Sequence, residues 1–156
     1  MPNQALIASD SAKAKAEARI LRLIGEYQRL ANEAVEAMKQ AYGRSNLLRA
    51  WRSGKIKKSG MLTKGRISYD FHGAGCRFEF GKHTVDVDFG PNERHDGFDA
   101  WRLWLLADSN PAYSDLDRSK VERALATLQA KGIIKKLEGG TSDHLYYLTK
   151  SNAGAE

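Results

Sequence analysis

From Ile67 to Phe89 apolar and polar residues alternate in three short runs. Ile67, Tyr69 and Phe71 stand against Ser68, Asp70 and His72. After His72-Gly73-Ala74-Gly75, a turn, Cys76, Phe78 and Phe80 resume the apolar set, and after Gly81-Lys82 it continues as Val85, Val87 and Phe89 against Asp86 and Asp88. Period two in each run predicts a three-stranded antiparallel meander with one buried apolar face and one wet polar face. Such a sheet needs a lid, and the segments on either side of it have helical periodicity.

In the N-terminal third, Ile20, Ile24, Tyr27, Ala31, Ala34 and Met38 recur at alternating steps of four and three, with Leu23, Leu30 and Val35 widening the stripe. This predicts an amphipathic helix capped by Ser9-Asp10-Ser11 and stopped by Gly43, roughly 45 Å long at 1.5 Å per residue. The stripe suits a coiled-coil seam or a helix docked on the sheet; its Tyr and two Ala, and its short run of heptads, favour docking. Gly25 inside it is expected to mark close packing. A short helix follows from Ser45 to Gly54, with Leu47, Leu48 and Trp51 on one side. Beyond the meander, Gly97 to Leu106 predicts a helix facing inward through Phe98, Trp101 and Leu105. Ser114 or Asp115 opens another, with Val121, Leu125 and Leu128 as its stripe and Gly132 as its stop. Ile133–Leu137 and His144–Leu148, flanking a turn at 138–143, complete a hairpin.

The fold class is therefore α+β: a long N-terminal helix, a short helix, a three-stranded antiparallel meander, two further helices and a C-terminal β-hairpin. One domain is expected over 1–150, with a helical part at 1–54, meander plus helix at 66–108, helix plus hairpin at 114–148, and a disordered tail at 151–156. The last helix, Lys-Gly-Ile-Ile and a hairpin ending Tyr-Tyr-Leu resemble the second half of a winged-helix domain, in which that helix enters the major groove. Against this, Asp115, Asp117 and Glu122 dilute Arg118, Lys120 and Arg123, and the sequence shows one preceding helix where a tri-helical start needs two.

Composition narrows the setting. A chain of 156 residues, 42% hydrophobic and 28% charged, is ordinary for a globular protein that needs no disulfide or metal to fold. No apolar run approaches a membrane span and no signal-peptide pattern opens the chain, so cytoplasmic localisation is expected; the lone Cys76 agrees with a reducing compartment. The net charge of +6 is unevenly spread. Residues 37–69 hold nine basic residues and no acid, while 70–100 hold seven acids and three bases. The first stretch contains the connector Lys55, Lys57 and Lys58, whose charge, suited to tracking a phosphate backbone, is the feature of the chain most suggestive of nucleic-acid binding. The second contains the acidic row Asp86, Asp88, Glu93 and Asp96.

Candidate chemistry is thin. His72, Cys76, His83 and His95 are the available zinc ligands, but alternation puts Cys76 and His72 on opposite faces, and a structural site wants four convergent donors. Cys76 reads as a small core residue and His72 as a turn residue satisfied by backbone. Cys-His nucleophilic catalysis needs a thiolate, a base in reach and usually a third orienting group, and nothing in the sequence fixes that geometry. The row Asp86 and Asp88 reads as solvation of an open face, or as pairing with Arg77, Arg94 and Arg102. Asp99 and Asp96 are alternative caps for the helix that follows. Asp88-Phe89-Gly90 spells a kinase magnesium motif without the rest of a kinase, and His72 to Cys76 opens no helix, so it is no phosphate cradle. Neither a catalytic residue, a cofactor nor a metal is assigned.

The runs H-G-x-G-C (His72, Gly73, Gly75, Cys76), D-x-D-F-G (Asp86 to Gly90) and D-G-F-D-A-W-R-L (Asp96 to Leu103, with Gly97, Phe98, Asp99, Trp101 and Arg102) resemble an uncharacterised bacterial family, known mainly as a domain of unknown function. The resemblance covers about residues 66 to 148 and brings no catalytic residues. It implies genes lying beside polymorphic secreted toxins, and hence an immunity protein whose partner is a cognate toxin. The motif residues themselves read as structural. The expectation is a monomeric or homodimeric protein with no membrane partner that occludes the toxin's active site, through the acidic row if the toxin is basic and through the lysine connector if it is acidic. A nucleic-acid-binding regulator is the alternative.

Overall fold

The N-terminal stripe folds as α1 (Pro2–Tyr42), a helix of 41 residues, in a computed structural model that describes residues 2–90, 94–136 and 145–149. All nine stripe residues from Ile20 to Met38 are buried. The helix starts at Pro2 rather than at Ser9-Asp10-Ser11, which lie inside it. Proline is well suited to the first helical turn because the N–H it lacks has no helical partner there. Gly43, at φ +63°, closes it. The expectation for Gly25 is corrected: a Cβ there meets nothing within 4 Å. The short helix α2 (Leu47–Arg52) is capped by Asn46, not Ser45; the Asn46 side chain accepts from the Arg49 N–H at 3.0 Å.

The sheet has four strands, in the order β1 (Ser59–Leu62), β2 (Ile67–His72), β3 (Gly75–Phe80) and β4 (His83–Asp88), all antiparallel. Three match the alternation. The fourth, β1, comes from the segment read as a connector, because Ser-Gly-Met-Leu is too short and too glycine-interrupted to alternate visibly. Ile67, Tyr69, Phe71, Cys76, Phe78, Val85 and Val87 form one fully buried face. The first two helices cover it: Tyr42 meets Tyr69 edge-to-face with ring centroids 6.2 Å apart, and Trp51 stacks on Phe71 at 4.9 Å. The N-terminal helix thus docks on the sheet, with Tyr27 of its stripe bonded to the Asp86 carbonyl, and part of the stripe packs on the helices that follow.

After the sheet, α3 (Ala100–Asp108) turns Leu103, Leu106 and Ala107 inward. Phe98 is buried too, but it precedes the helix and bridges to Tyr146, while Trp101 and Leu105 are only half-buried. A 3-10 turn, Pro111–Tyr113, leads to α4 (Arg118–Ala130). Its cap is Asp117, accepting from the Lys120 N–H at 2.8 Å, rather than Ser114 or Asp115. The hairpin pairs β5 (Ile134–Lys136) with β6 (Tyr146–Leu148); its predicted turn at 138–143, Leu137, His144 and the tail at 151–156 lie outside the described residues. The first, third and fourth helices contact one another. These three helices thus form one group, although the whole sheet separates α1 from the other two along the chain.

Candidate functional site

Both edges and the second face of the sheet decide where chemistry can occur. On β4 the Thr84 N–H donates to Ser109 Oγ at 3.0 Å, and the Tyr27 hydroxyl donates to the Asp86 carbonyl at 2.7 Å. Side chains from α1 and from the C-cap of α3 thus engage two of the outward backbone groups of that edge. At the other end, the Phe71 N–H donates to the Lys58 carbonyl at 2.7 Å. In an antiparallel ladder this turns Lys58, Gly60 and Leu62 toward β2, and points the backbone groups of Ser59 and Met61 away from the sheet. No strand lies on that side among the described residues, and Met61 is 59% exposed.

The second face is polar as predicted but is not uniformly wet. The expectation that Asp86 and Asp88 stand in solvent is corrected: Asp86 is 0% exposed and Asp88 8%. The first turn of α3 folds over them. Asp99 caps that helix, its carboxylate accepting from the backbone N–H of Arg102 at 2.8 Å and from its guanidinium at 2.7 Å. So held, Arg102 reaches Asp86 at 3.4 Å and Asp88 at 3.8 Å. From the sheet, the His72 ring N–H donates to Asp86 Oδ2 at 2.6 Å and Arg77 Nε to the same oxygen at 3.4 Å. The guanidinium groups of Arg77 and Arg102 both lie over the Trp101 ring, 5.7 and 5.4 Å from its centroid.

Burial would depress the Arg102 pKa, but Asp99, together with Asp86 and Asp88, more than offsets this and leaves it raised. Burial likewise pushes up the Tyr27 phenol and the Cys76 thiol. Cys76 packs on the helix-covered face, across the sheet from His72. His72 is satisfied by a carboxylate and not by backbone. The cluster has a coordination deficit: Asp86 Oδ1 meets Arg102 without hydrogen-bond geometry, and Arg102 Nε has no hydrogen-bond partner. Its tips, the His72 ring and the Arg77 guanidinium, are 45% and 40% exposed above the buried acid.

The cluster thus unites His72, Asp86, Asp88, Asp99, Trp101 and Arg102 from the three sequence motifs. Arg77, which no motif marked, joins them; its place opposite Asp86 in the register was the available signal. Gly75 lies against β4, where an added Cβ would sit 2.1 Å from the Val87 carbonyl oxygen. Gly73 holds its turn at φ +53°. Gly90 bridges to Arg94, and Gly97 packs beneath Leu145 and Tyr147. The acidic row does not assemble: Asp96 pairs outside the cluster with Arg94 at 2.7 Å, and Glu93 lies outside the described residues. Lys55, Lys57 and Lys58 are exposed beside β1, Lys58 pairing with Asp70 at 2.8 Å. Among the described residues, no group of three or more His, Cys, Asp or Glu is arranged to hold a metal ion, and no helix is long and apolar enough to cross a membrane.

The site is that of an α+β domain whose sheet is locked at one corner by a buried ion cluster and left open at the opposite edge. The chain belongs to the family described as domain of unknown function DUF6896, which matches residues 20–148. The match takes in most of α1 as well as the motif region. No curated protein and no solved structure shows significant similarity to the chain.

Proposed function

We propose that the protein is a non-enzymatic cytoplasmic immunity protein that binds a cognate bacterial toxin and occludes its active site, with the β1 end of the sheet as the contact surface. The observation that carries the reading is the contrast between the two sheet edges. Side chains engage the Thr84 N–H and the Asp86 carbonyl on β4, whereas β1 offers the outward backbone groups of Ser59 and Met61 beside an exposed methionine. An exposed strand edge recruits an extended segment by main-chain hydrogen bonding. The adjoining stretch from Arg44 to Arg66 holds eight basic residues and no acid, so the complementary toxin surface is acidic. Burial of Asp86 and Asp88 speaks against the acidic row as the contact for a basic toxin.

The toxin class comes from the motif resemblance, and growth is its test. Co-expression with the product of the adjacent gene is expected to protect cells, and Met61→Pro to abolish protection. Proline removes an N–H that faces outward and is tolerated on an edge strand, so the fold, followed by circular dichroism, is expected to persist. Protection by a normally folded Met61→Pro variant would sink the edge as the contact. Absence of protection and of complex formation by the wild type would sink the immunity reading.

A second reading, a nucleic-acid-binding regulator, is favoured by one observation. The helices α1, α3 and α4 contact one another and the hairpin joins Phe98, an arrangement consistent with a winged-helix domain. The acids that diluted its reading helix are engaged within the fold: Asp115 pairs with Arg19, Asp117 is the cap and Glu122 pairs with Arg118. Mobility shifts at two salt concentrations separate the readings: tight, salt-sensitive binding of duplex DNA supports the regulator.

A further inference from the structure

Between α1 and α4 runs a groove with a volume of about 500 Å³, well within the range of small-molecule sites. Ala16 on α1 and Ala124 on α4 line it with small side chains. Ile20, Leu116 and Ala124 make its apolar floor.

Its rim carries charges of both signs, but they are not equally available. Glu17 accepts from Lys131 through both oxygens, at 2.8 and 2.6 Å. Asp115 is taken by the Arg19 guanidinium, which also donates to the Ala112 carbonyl at 2.9 Å. Both carboxylates are therefore neutralised. The Lys120 ammonium meets only a backbone carbonyl, that of Asp115 at 3.2 Å. Lys13 and Arg123 have no carboxylate partner among the described residues. What remains is an apolar trough edged by Lys13, Lys120 and Arg123, none of them in an ion pair with a carboxylate at contact distance among the described residues.

We propose that this groove binds a small amphipathic carboxylate, its aliphatic or ring portion on Ile20, Leu116 and Ala124 and its carboxylate on Arg123 and Lys120. The guanidinium offers paired donors matched to a carboxylate, and the floor contributes through the apolar area it covers. The site is independent of the β1 edge and of the toxin. Because one wall is α4, an occupant reports directly to the helix that the winged-helix layout would present to a partner.

Octanoate is the probe, with octanol as its uncharged control, read by methyl NMR of Ala16, Ile20, Ala124 and Thr127. Saturable shifts with octanoate and none with octanol at equal concentration are expected. Arg123→Gln is expected to weaken binding about tenfold, the scale of a charge-assisted hydrogen bond, and Ala124→Leu to abolish it with the methyl spectrum otherwise folded. Equal shifts from octanol would reduce the groove to an apolar crevice and overturn the proposal. So would unchanged binding in Arg123→Gln, or a concentration-dependent dimer in sedimentation that shifts the same methyls without ligand.

Discussion

Asp86→Asn tests the buried cluster most directly, since it removes one charge and keeps the shape. At 3.4 Å, and with an effective dielectric constant near 20, the attraction between Asp86 and Arg102 is roughly 5 kcal/mol before the cost of burying both groups is subtracted. Removing one partner of a buried pair typically costs about 3–5 kcal/mol, mostly through the charge left behind. Here Arg102 keeps Asp99 at 2.7 Å and Asp88 at 3.8 Å, so the low end applies and about 3 kcal/mol is expected. Arg102→Met is expected to cost more, about 4 kcal/mol, because it strips the shared cation from three carboxylates at once. His72→Ala is expected to cost about 1 kcal/mol, the scale of one hydrogen bond, since the ring that donates to Asp86 is half in water. The assay is urea unfolding followed by tryptophan fluorescence, with Trp101 under both guanidinium groups as a local reporter and the slope on urea unchanged. In the double variant Asp86→Asn with Arg102→Met, the loss should fall short of the sum of the single losses by about 2 kcal/mol. Strict additivity, or a loss below about 1 kcal/mol for Asp86→Asn, would refute the claim that this carboxylate holds Arg102 in place.

Four further outcomes follow from single positions. Gly25→Ala is expected to stabilise the protein by up to about 1 kcal/mol, because the added methyl enters open space on a helix; a raised urea midpoint checks it. Gly75→Ala is expected to cost about 3 kcal/mol or more, since its methyl would meet only β4 backbone, which no rotamer change relieves; amide exchange should show the β3–β4 pairing loosened first. Cys76 is expected to resist a thiol reagent at mildly alkaline pH in the folded protein and to react at once in denaturant, because burial pushes its pKa up. The Arg19 guanidinium holds the Asp115 carboxyl at about 2, below its usual 3.8. Its contribution to stability is therefore complete above about pH 4 and lost as pH falls through about 2, so wild type and Asp115→Asn should differ in urea midpoint at neutral pH and converge in strong acid.

Regular periodicity was readable wherever burial on one side of an element was the only force at work. The stripe of α1 and the faces of β2 and β3 are of that kind. The reading failed where a second surface intervened. On β4, Asp86 and Asp88 alternate with Val85 and Val87 as an amphipathic strand should, yet they are buried as well, because α3 crosses that corner and brings a cation. Pairing with Arg77 and Arg102 was an available alternative; what local pattern cannot convey is that such pairing buries the acids instead of leaving them wet. Caps went astray for a related reason. Ser45 and Asn46, like Ser114 and Asp117, are all competent cap residues, and the choice depends on where packing sets the first helical turn.

The N-terminal helix shows the same limit at longer range. Its stripe was legible, but its partnership with α3 and α4 joins residues about a hundred positions apart, such as Arg19 with Asp115 and Glu17 with Lys131. That distance is why the tri-helical arrangement went unseen. The chain makes the first helix, detours through an entire sheet and returns through Phe98, whose backbone exchanges hydrogen bonds with Tyr146 at 3.1 and 2.6 Å. The detour places the buried ion cluster at the junction between the sheet and the three helices. Asp99 and Arg102 sit on a helix of the bundle and Asp86 on the edge strand of the sheet, so the cluster fixes one unit against the other. A substitution there is accordingly expected to loosen the junction before it unfolds either part, which amide exchange in Asp86→Asn should register as early opening of β4 and the first turn of α3.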